Sequence, residues 1–182
     1  IVDKTTKMHK FWFNPMSEKY FLRVLKKNHV DKLYVDTMNN SEVKKNIEFA
    51  SIKKKITKKN LIDYIQNLKK KTLFLGIFNK KKKHIANVKI DYSIKNFPTI
   101  GFLVFNGFRG KKIIQNNFDN ILNFEKFKKL NLDKIYLGVD PKNIRALKLY
   151  KKLGFKKYNK KKNFYFLDIP TFDYTKNNVF EC

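Results

Sequence analysis

The stretch from residue 100 to 155 holds the residue types and spacings best suited to chemistry. An apolar run, TIGFLVF (99–105), leads through a short loop into RGKKII (109–114) and then into a helical pattern. A strand that feeds a helix start offers unpaired backbone N–H groups and the positive end of the helix dipole, which together suit a pyrophosphate. Arg109, Lys111 and Lys112 add positive charge there, although basic residues at a helix start are common. A second apolar strand pattern, KIYLGVD (134–140), runs into PKNIRALKLYKKLGF (141–155). Ala146, Leu149, Tyr150 and Leu153 fall on one helical stripe, so by spacing alone Tyr150 reads as a core aromatic. Asn143 reads as an N-cap or turn residue after Pro141.

Other reactive groups are sparse. His84 sits at a strand start and reads as a surface histidine; His9 and His29 have no partner pattern. No metal-ligand spacing occurs. The single cysteine, Cys182, ends the sequence, which excludes a disulfide scaffold and a cysteine-rich zinc site.

These residues need a scaffold, and the hydrophobic patterning predicts one. MHKFWF (8–13) reads as a first strand. Met16–Lys27 reads as a helix with Ser17 as its cap and Phe21, Leu22 and Leu25 on its apolar side. Segment 29–56 is weakly patterned and predicts helical turns and loop. Thr57 caps a helix that places Leu61, Ile62, Ile65 and Leu68 on one face. Three strands follow, at 72–78, 85–92 and 99–105. The second puts Ala86, Val88, Ile90 and Tyr92 on one face and Asn87, Lys89 and Asp91 on the other. The third is apolar on both faces, as in a strand buried in mid-sheet. Short connections make the three an antiparallel meander. A helix then runs to about Leu130, followed by the 134–140 strand. A helix over Asn143–Leu153 ends at Gly154. A closing hairpin joins 155–158 to 164–169. This order, β-α-α-βββ-α-β-α-ββ, predicts an α/β fold with a central mixed, mostly antiparallel sheet flanked by helices.

The chain has 182 residues, 42 Lys plus Arg against 15 Asp plus Glu, and a net charge of +27. That length suits one domain spanning 1–182, with 170–182 as a C-terminal tail. A hydrophobic share of 42% favours a globular domain over disorder. No apolar stretch reaches membrane-spanning length and no signal peptide is visible, so the expected compartment is the cytoplasm, with no membrane partner. The charge attracts anions: nucleic acid, an anionic membrane face or phosphorylated small molecules. Yet the lysines lie in short runs on turns and polar helix faces. Lys, Asn, Ile, Phe and Tyr also share A/T-rich codons. A lysine-biased surface is therefore favoured over a nucleic-acid surface.

The combination resembles the GNAT superfamily of acetyl-CoA-dependent N-acetyltransferases. Asn143, Ala146, Tyr150, Gly154 and Phe155 stand as N-x-x-A-x-x-x-Y-x-x-x-G-F after a strand ending in Val139-Asp140. The N-terminal half is similar to the group that includes the ribosomal-protein N-terminal acetyltransferases, and that group also contains enzymes acting on amino sugars. The resemblance implies a GNAT-like single domain and acetyl-CoA as cosubstrate. It implies that Tyr150 protonates the leaving thiolate and that Asn143 hydrogen-bonds the cofactor arm or an active-site water. Backbone groups of Leu103 and Val104 would pair with the cofactor arm, and one N–H would polarise the acetyl carbonyl. Arg109, Gly110, Lys111, Lys112, Ile113 and Ile114 would hold the pyrophosphate. The family's loop reads R/Q-x-x-G-x-G/A, so Lys112 and Ile114 replace small residues, and a side chain there can crowd the site.

The family often places a glutamate before I-G-F as a base, where this sequence has Thr99; Asp91 and Asp140 are the nearest carboxylates. No nucleophile suits a two-step relay, so direct attack is expected. The acceptor would be a small-molecule primary amine, such as a nucleotide-linked amino sugar, or a protein N-terminus. The oligomer would be a monomer or homodimer. The alternative is a non-catalytic module of the same fold that binds RNA, the ribosome or CoA through its basic surface.

Overall fold

The computed structural model describes residues 20–52, 54–161 and 164–171. The strand expected at 8–13, Cys182 and most of the expected tail lie outside them. The described elements are β1 (Phe21–Val24), α1 (Lys32–Met38), α2 (Ser41–Asn46), α3 (Glu48–Ser51), α4 (Lys58–Gln66), β2 (Thr72–Phe78), β3 (His84–Asp91), β4 (Thr99–Val104), α5 (Ile113–Leu122), α6 (Glu125–Lys128), β5 (Lys134–Val139), α7 (Ile144–Lys152), β6 (Lys156–Lys161) and β7 (Phe164–Pro170).

The strands form one seven-stranded sheet in the order β1-β2-β3-β4-β5-β7-β6. β4 and β5 run parallel, and every other neighbouring pair runs antiparallel. This is the expected mixed, mostly antiparallel sheet, with β2, β3 and β4 as the meander. Period-two alternation sorts the side chains onto two faces. Leu73, Leu75, Ile77, Ala86, Val88, Ile90 and Ile100 pack with α5 and β5 in one core. Phe74 and Phe105 pack with Tyr34, Met38, Ile56, Leu61 and Ile65 from the α1–α4 layer in the other.

Two expectations change. Instead of the helix at Met16–Lys27, the described part holds β1, followed by a 3-10 turn at Lys27–His29. Phe21–Val24 pairs with Phe78–Leu75, and Leu25 N–H donates to the Phe74 carbonyl at 2.8 Å. A distant strand thus supplies the backbone partners that a local helix would have supplied. The helix expected to reach Leu130 breaks after Leu122, where Asn123 and Phe124 separate α5 from the short α6. Among the described residues, no helix is long and apolar enough to cross a membrane.

Candidate active site

The cleft arises where the sheet stops pairing. The β4–β5 ladder holds one residue pair, Thr99↔Tyr136, supported by the Tyr136 N–H donating to the Pro98 carbonyl at 2.9 Å. Beyond it the strands part, leaving the edge of β4 from Ile100 to Val104 without ladder partners on that side. This explains why the strand expected to be fully buried is not. Gly101 is exposed, and Phe102, Leu103 and Val104 are half-exposed. They line a cavity of ≈ 880 Å³ that also takes in the α5 start, the β5 end and one face of α7.

At the α5 start, Gly107 (φ +79°), Gly110 (φ +82°) and Lys112 (φ +53°) turn the chain through the left-handed region. The first intrahelical bond here runs from the Asn116 N–H to the Lys112 carbonyl at 2.9 Å. The N–H groups of Ile113, Ile114 and Gln115 precede it and belong to the helix's unsatisfied first turn. All three residues line the cavity. Ile114 does not crowd the site from within: it is 2% exposed and belongs to the α5 core. Lys112 keeps the left-handed shape that a glycine would adopt freely, at a steric cost.

The charged residues divide. Arg109 lines the cavity but is already engaged. Its Nη1 lies 2.5 Å from Glu42 Oε2, and its Nε donates to the Val104 carbonyl at 3.4 Å. Lys112 lines the cavity. Lys111 is not in the lining and lies 5.1 Å from the centre of the Phe108 ring. Five further cations line it, Lys45, Lys89 and, on α7, Arg145, Lys148 and Lys152. The i, i+3, i+7 spacing of Arg145, Lys148 and Lys152 was a readable signal for one helix face. An Arg145 nitrogen lies 3.9 Å from where a Cβ on Gly110 would sit, which sets α7 against the loop.

Asn143 caps α7, its Oδ1 accepting from the Ala146 N–H at 3.1 Å. One turn beyond Ala146, Tyr150 lines the same cavity, between Phe102 and Phe155 at ring separations of 6.2 and 5.9 Å. Burial pushes its phenol up to about 12, so Tyr150 holds its proton at neutral pH. Such a group can donate to a departing anion but cannot act as a base.

Neither carboxylate considered as a base is well placed. Asp91 is outside the lining. Partial burial pushes its pKa up, but the Ser93 hydroxyl and N–H, with Lys89 and Lys69, outweigh that and hold it below the usual range. Asp140 lines the cavity, but its Oδ1 accepts from the Lys142 N–H at 2.8 Å.

The opposite end of the cavity was not read from the sequence. It is walled by Tyr34, Phe49, Tyr64 and Phe74 with Asn87 and Lys89. Phe49 and Tyr64 lie 4.4 Å apart, and Lys89 donates to the Tyr64 hydroxyl at 2.8 Å. His84, expected at the surface, is 3% exposed behind this wall.

The profile of the acetyltransferase (GNAT) domain matches residues 19–156. The chain belongs to the GNAT acetyltransferases. The family assigns it to the acyltransferase enzymes, and the non-catalytic alternative is set aside. Three solved structures show the same fold as this acetyltransferase. Spermidine N-acetyltransferase from Vibrio cholerae in complex with CoA and spermine aligns with a TM-score of 0.70 at 19% identity, covering 86% of this chain and 98% of that one. Ribosomal-protein-S5-alanine acetyltransferase from Vibrio fischeri aligns at 0.69 and 17% identity, covering 87% and 96%. A domain from Methanocaldococcus jannaschii aligns at 0.66 and 20% identity, covering 85% and 99%. No curated protein matches the chain.

Proposed function

We propose that this acetyltransferase uses acetyl-CoA to acetylate a primary amine by direct attack, and that the amine belongs to an anionic acceptor such as a nucleotide-linked amino sugar. A protein N-terminus is the second acceptor class. The supporting observation is the make-up of one cavity. The α5 first turn, the free edge of β4, Asn143 and Tyr150 all line it.

The residues fit the cosubstrate. The N–H groups of Ile113, Ile114 and Gln115 would hold the pyrophosphate, with Lys112, Arg145, Lys148 and Lys152 around it. Phe105 N–H donates to the Ile85 carbonyl and Tyr136 N–H to the Pro98 carbonyl. The alternation therefore turns the backbone groups of Leu103 toward β3, against expectation, and those of Phe102 and Val104 toward the free edge. There they would hold the pantetheine arm by strand-like hydrogen bonds. Bound acetyl-CoA supplies an activated acyl thioester. Tyr150 donates its proton to the departing sulfur. A main-chain N–H of β4 polarises the acetyl carbonyl.

Direct attack is supported by the lining, which contains no cysteine, serine, threonine or histidine among the described residues. The missing carboxylate base has a physical substitute. Seven lysines and arginines line the cavity against two carboxylates, Glu42 and Asp140. Such a field disfavours an ammonium ion and favours the free amine. The same field argues against a polyamine acceptor, although spermidine enzymes share the fold. Glu42 is paired with Arg109 and Asp140 Oδ1 accepts from a turn N–H, which leaves little negative charge to meet a polycation. Lys89, by contrast, is half-buried at the aromatic end and has no carboxylate within 4 Å among the described residues, which suits an acceptor carrying a negative group.

The test is calorimetry with CoA, followed by thiol release from acetyl-CoA with an amino-sugar nucleotide, an alanine-terminated peptide and spermidine. CoA binding and turnover with the nucleotide are expected. No CoA binding, or spermidine as the best acceptor, overturns the reading.

A further inference from the structure

Asn87 is the least expected residue in the centre of the sheet. A buried amide must have its hydrogen bonds satisfied. Asn87 is 3% exposed, lines the cavity, and its Nδ2 has no hydrogen-bond partner among the described residues. Its Oδ1 lies 2.6 Å from His84 Nε2. His84 Nδ1 lies 3.2 Å from the His29 carbonyl.

The chain is built to hold His84 there. Gly76 stands opposite Asn87 in the ladder. A Cβ on Gly76 would fall 3.0 Å from His84 Nε2 and 2.8 Å from a Phe78 ring carbon, so only glycine leaves room. The Phe78 ring stacks on the imidazole at 4.9 Å, and the Phe105 and Tyr34 rings meet it at 4.6 and 5.6 Å. Burial lowers the His84 pKa against the opposing pull of Asn87, the His29 carbonyl and Asp31, so the ring is neutral near pH 7.

The protons then follow by elimination. The His29 carbonyl can only accept, so Nδ1 carries the hydrogen. A neutral ring has one N–H, so Nε2 is a lone pair and its partner on Asn87 must be a donor. That partner is Nδ2, with the amide turned by 180°. The turn removes two faults at once: two acceptors facing at 2.6 Å, and an amide donor with no partner. It also puts Oδ1 where the orphan atom stood, a buried position on a residue that lines the cavity. The buried Tyr34 hydroxyl lies near enough to feel this amide, yet makes no hydrogen bond of normal geometry with it. With the amide turned, the hydroxyl gains an acceptor, and a carbonyl oxygen still keeps a second lone pair.

We propose that Asn87 Oδ1 is the subsite for the acceptor's amino nitrogen, fixed in that orientation by His84. This rests on the acetyl-transfer reading above. Asn87 pairs with Leu103 and Lys89 pairs with Gly101, so all four lie on one patch of the α1–α4 face. A Cβ on Gly101 would meet nothing within 4 Å, which marks open space beside the free β4 edge. An amine entering that space lies beside Asn87, next to the strand expected to hold the thioester. One N–H engaged there orients the nitrogen lone pair toward the acyl carbon. Asn87 contacts the substrate, and His84 is a positioning residue.

Two measurements test it. In protein labelled with ¹⁵N, the expected result is an Nδ1–H tautomer for His84, with a coupling between its Nε2 and Asn87 Nδ2 across the hydrogen bond. An Nε2–H tautomer or an imidazolium at pH 7.5 overturns the assignment, whatever the enzyme's activity. In kinetics with the amino-sugar nucleotide and the alanine-terminated peptide, Asn87→Leu should lower kcat/KM for the amine about tenfold or more. CoA affinity should stay within twofold, which also reports that the variant folds. Asn87→Asp keeps an acceptor atom on the wall and should recover part of the loss. Asn87→Leu turning over like the parent, or Asn87→Asp as impaired as Asn87→Leu, overturns the subsite while leaving acetyl transfer intact. If neither amine reacts and CoA does not bind, the acetyl-transfer reading fails, and the tautomer measurement still decides the amide's orientation.

Discussion

Arg109 and Glu42, 67 positions apart in sequence, meet with Nη1 and Oε2 2.5 Å apart. The contact ties the loop at the α5 start to α2, and both residues line the cavity. Glu42 is largely exposed, so the pair contributes little stability, on the order of 0.2–1 kcal/mol. On the proposed function, the pair would occupy a guanidinium that a phosphate of CoA would otherwise take. Glu42→Gln should therefore tighten CoA binding by about two- to fivefold at low salt, and the gain should shrink as salt rises. Calorimetry at two ionic strengths checks this. Weaker CoA binding in the variant would show that Glu42 holds Arg109 in its binding position instead.

Lys112 is the residue whose sequence position and backbone disagree. It takes φ +53° at the N-cap of α5 and makes no side-chain capping bond. Lys112→Gly should raise stability by about 0.4–1 kcal/mol, the left-handed strain relieved outweighing the added freedom of the unfolded chain. For a domain of this size that is roughly 2–4 °C in Tm per kcal/mol. Thermal unfolding of the two proteins decides it. An unchanged or lower Tm would mean that the Lys112 side chain contributes more than its backbone costs.

Period-two and cap signals made much of this fold legible. In β3 each residue declares its face, so Asn87 and Lys89 were separated from Val88 and Ile90 before any neighbour was known. α7 was bounded by Asn143 and Gly154, both of which act as expected: one caps the helix start, and the other turns at φ +91° beyond its end. What failed depends on partners far along the chain. Phe21, Leu22 and Leu25 stand at i, i+1 and i+4, a helical spacing, and pairing with Phe78–Leu75 overrides it. The burial of His84 depends on the absent side chain of Gly76 on the neighbouring strand. The aromatic wall joins Tyr34, Tyr64 and Phe74 from three elements, and no local pattern links them.

Tyr150 should matter at the step where sulfur leaves. Tyr150→Phe removes one hydroxyl and keeps the ring between Phe102 and Phe155. The expected loss in kcat is about 10²-fold or more, with CoA affinity little changed. The pH profile carries a second signature. With Tyr150 as the proton donor the acid form would be the active one, and burial moves the phenol from 10.0 up to about 12. The rate should therefore show no fall from Tyr150 between pH 8 and 10, and should decline only as pH approaches 12. The raised pKa has a stability counterpart. Its contribution is complete below about 10, where the unfolded phenol keeps its proton, and is lost as pH rises through about 12. A kcat for Tyr150→Phe equal to that of the parent would make the residue structural.

Gly101 gives a way to fill the acceptor space without touching the phosphate end. A side chain there meets no atom within 4 Å, and its φ is not in the left-handed region, so Gly101→Val should fold. The branched side chain would occupy the space beside Leu103 and Lys89 that the amine must enter. The expected result is a loss of about tenfold or more in kcat/KM for the amine, with a smaller change in CoA affinity. Equal losses on both sides would place the pantetheine arm, rather than the acceptor, over Gly101.

On the proposed function, the cation row on α7 would serve the phosphates of CoA, and Lys89 the acceptor. Arg145, Lys148 and Lys152 share one helix face, and Arg145 reaches the Gly110 loop. The 3′-phosphate and pyrophosphate of CoA carry several negative charges, so replacing all three cations with glutamine should weaken CoA by on the order of tenfold or more near 0.1 M salt and flatten the salt dependence of its Kd. The exposed positions of these side chains make a large change in stability unexpected. Lys89→Met should behave in the opposite way, leaving CoA affinity and its salt slope alone while raising KM for the anionic acceptor. Measuring both Kd for CoA and KM for the amino-sugar nucleotide in the two variants tests whether one continuous cavity holds two independently charged subsites. A loss of CoA affinity in Lys89→Met comparable to that of the α7 variant would show that it does not.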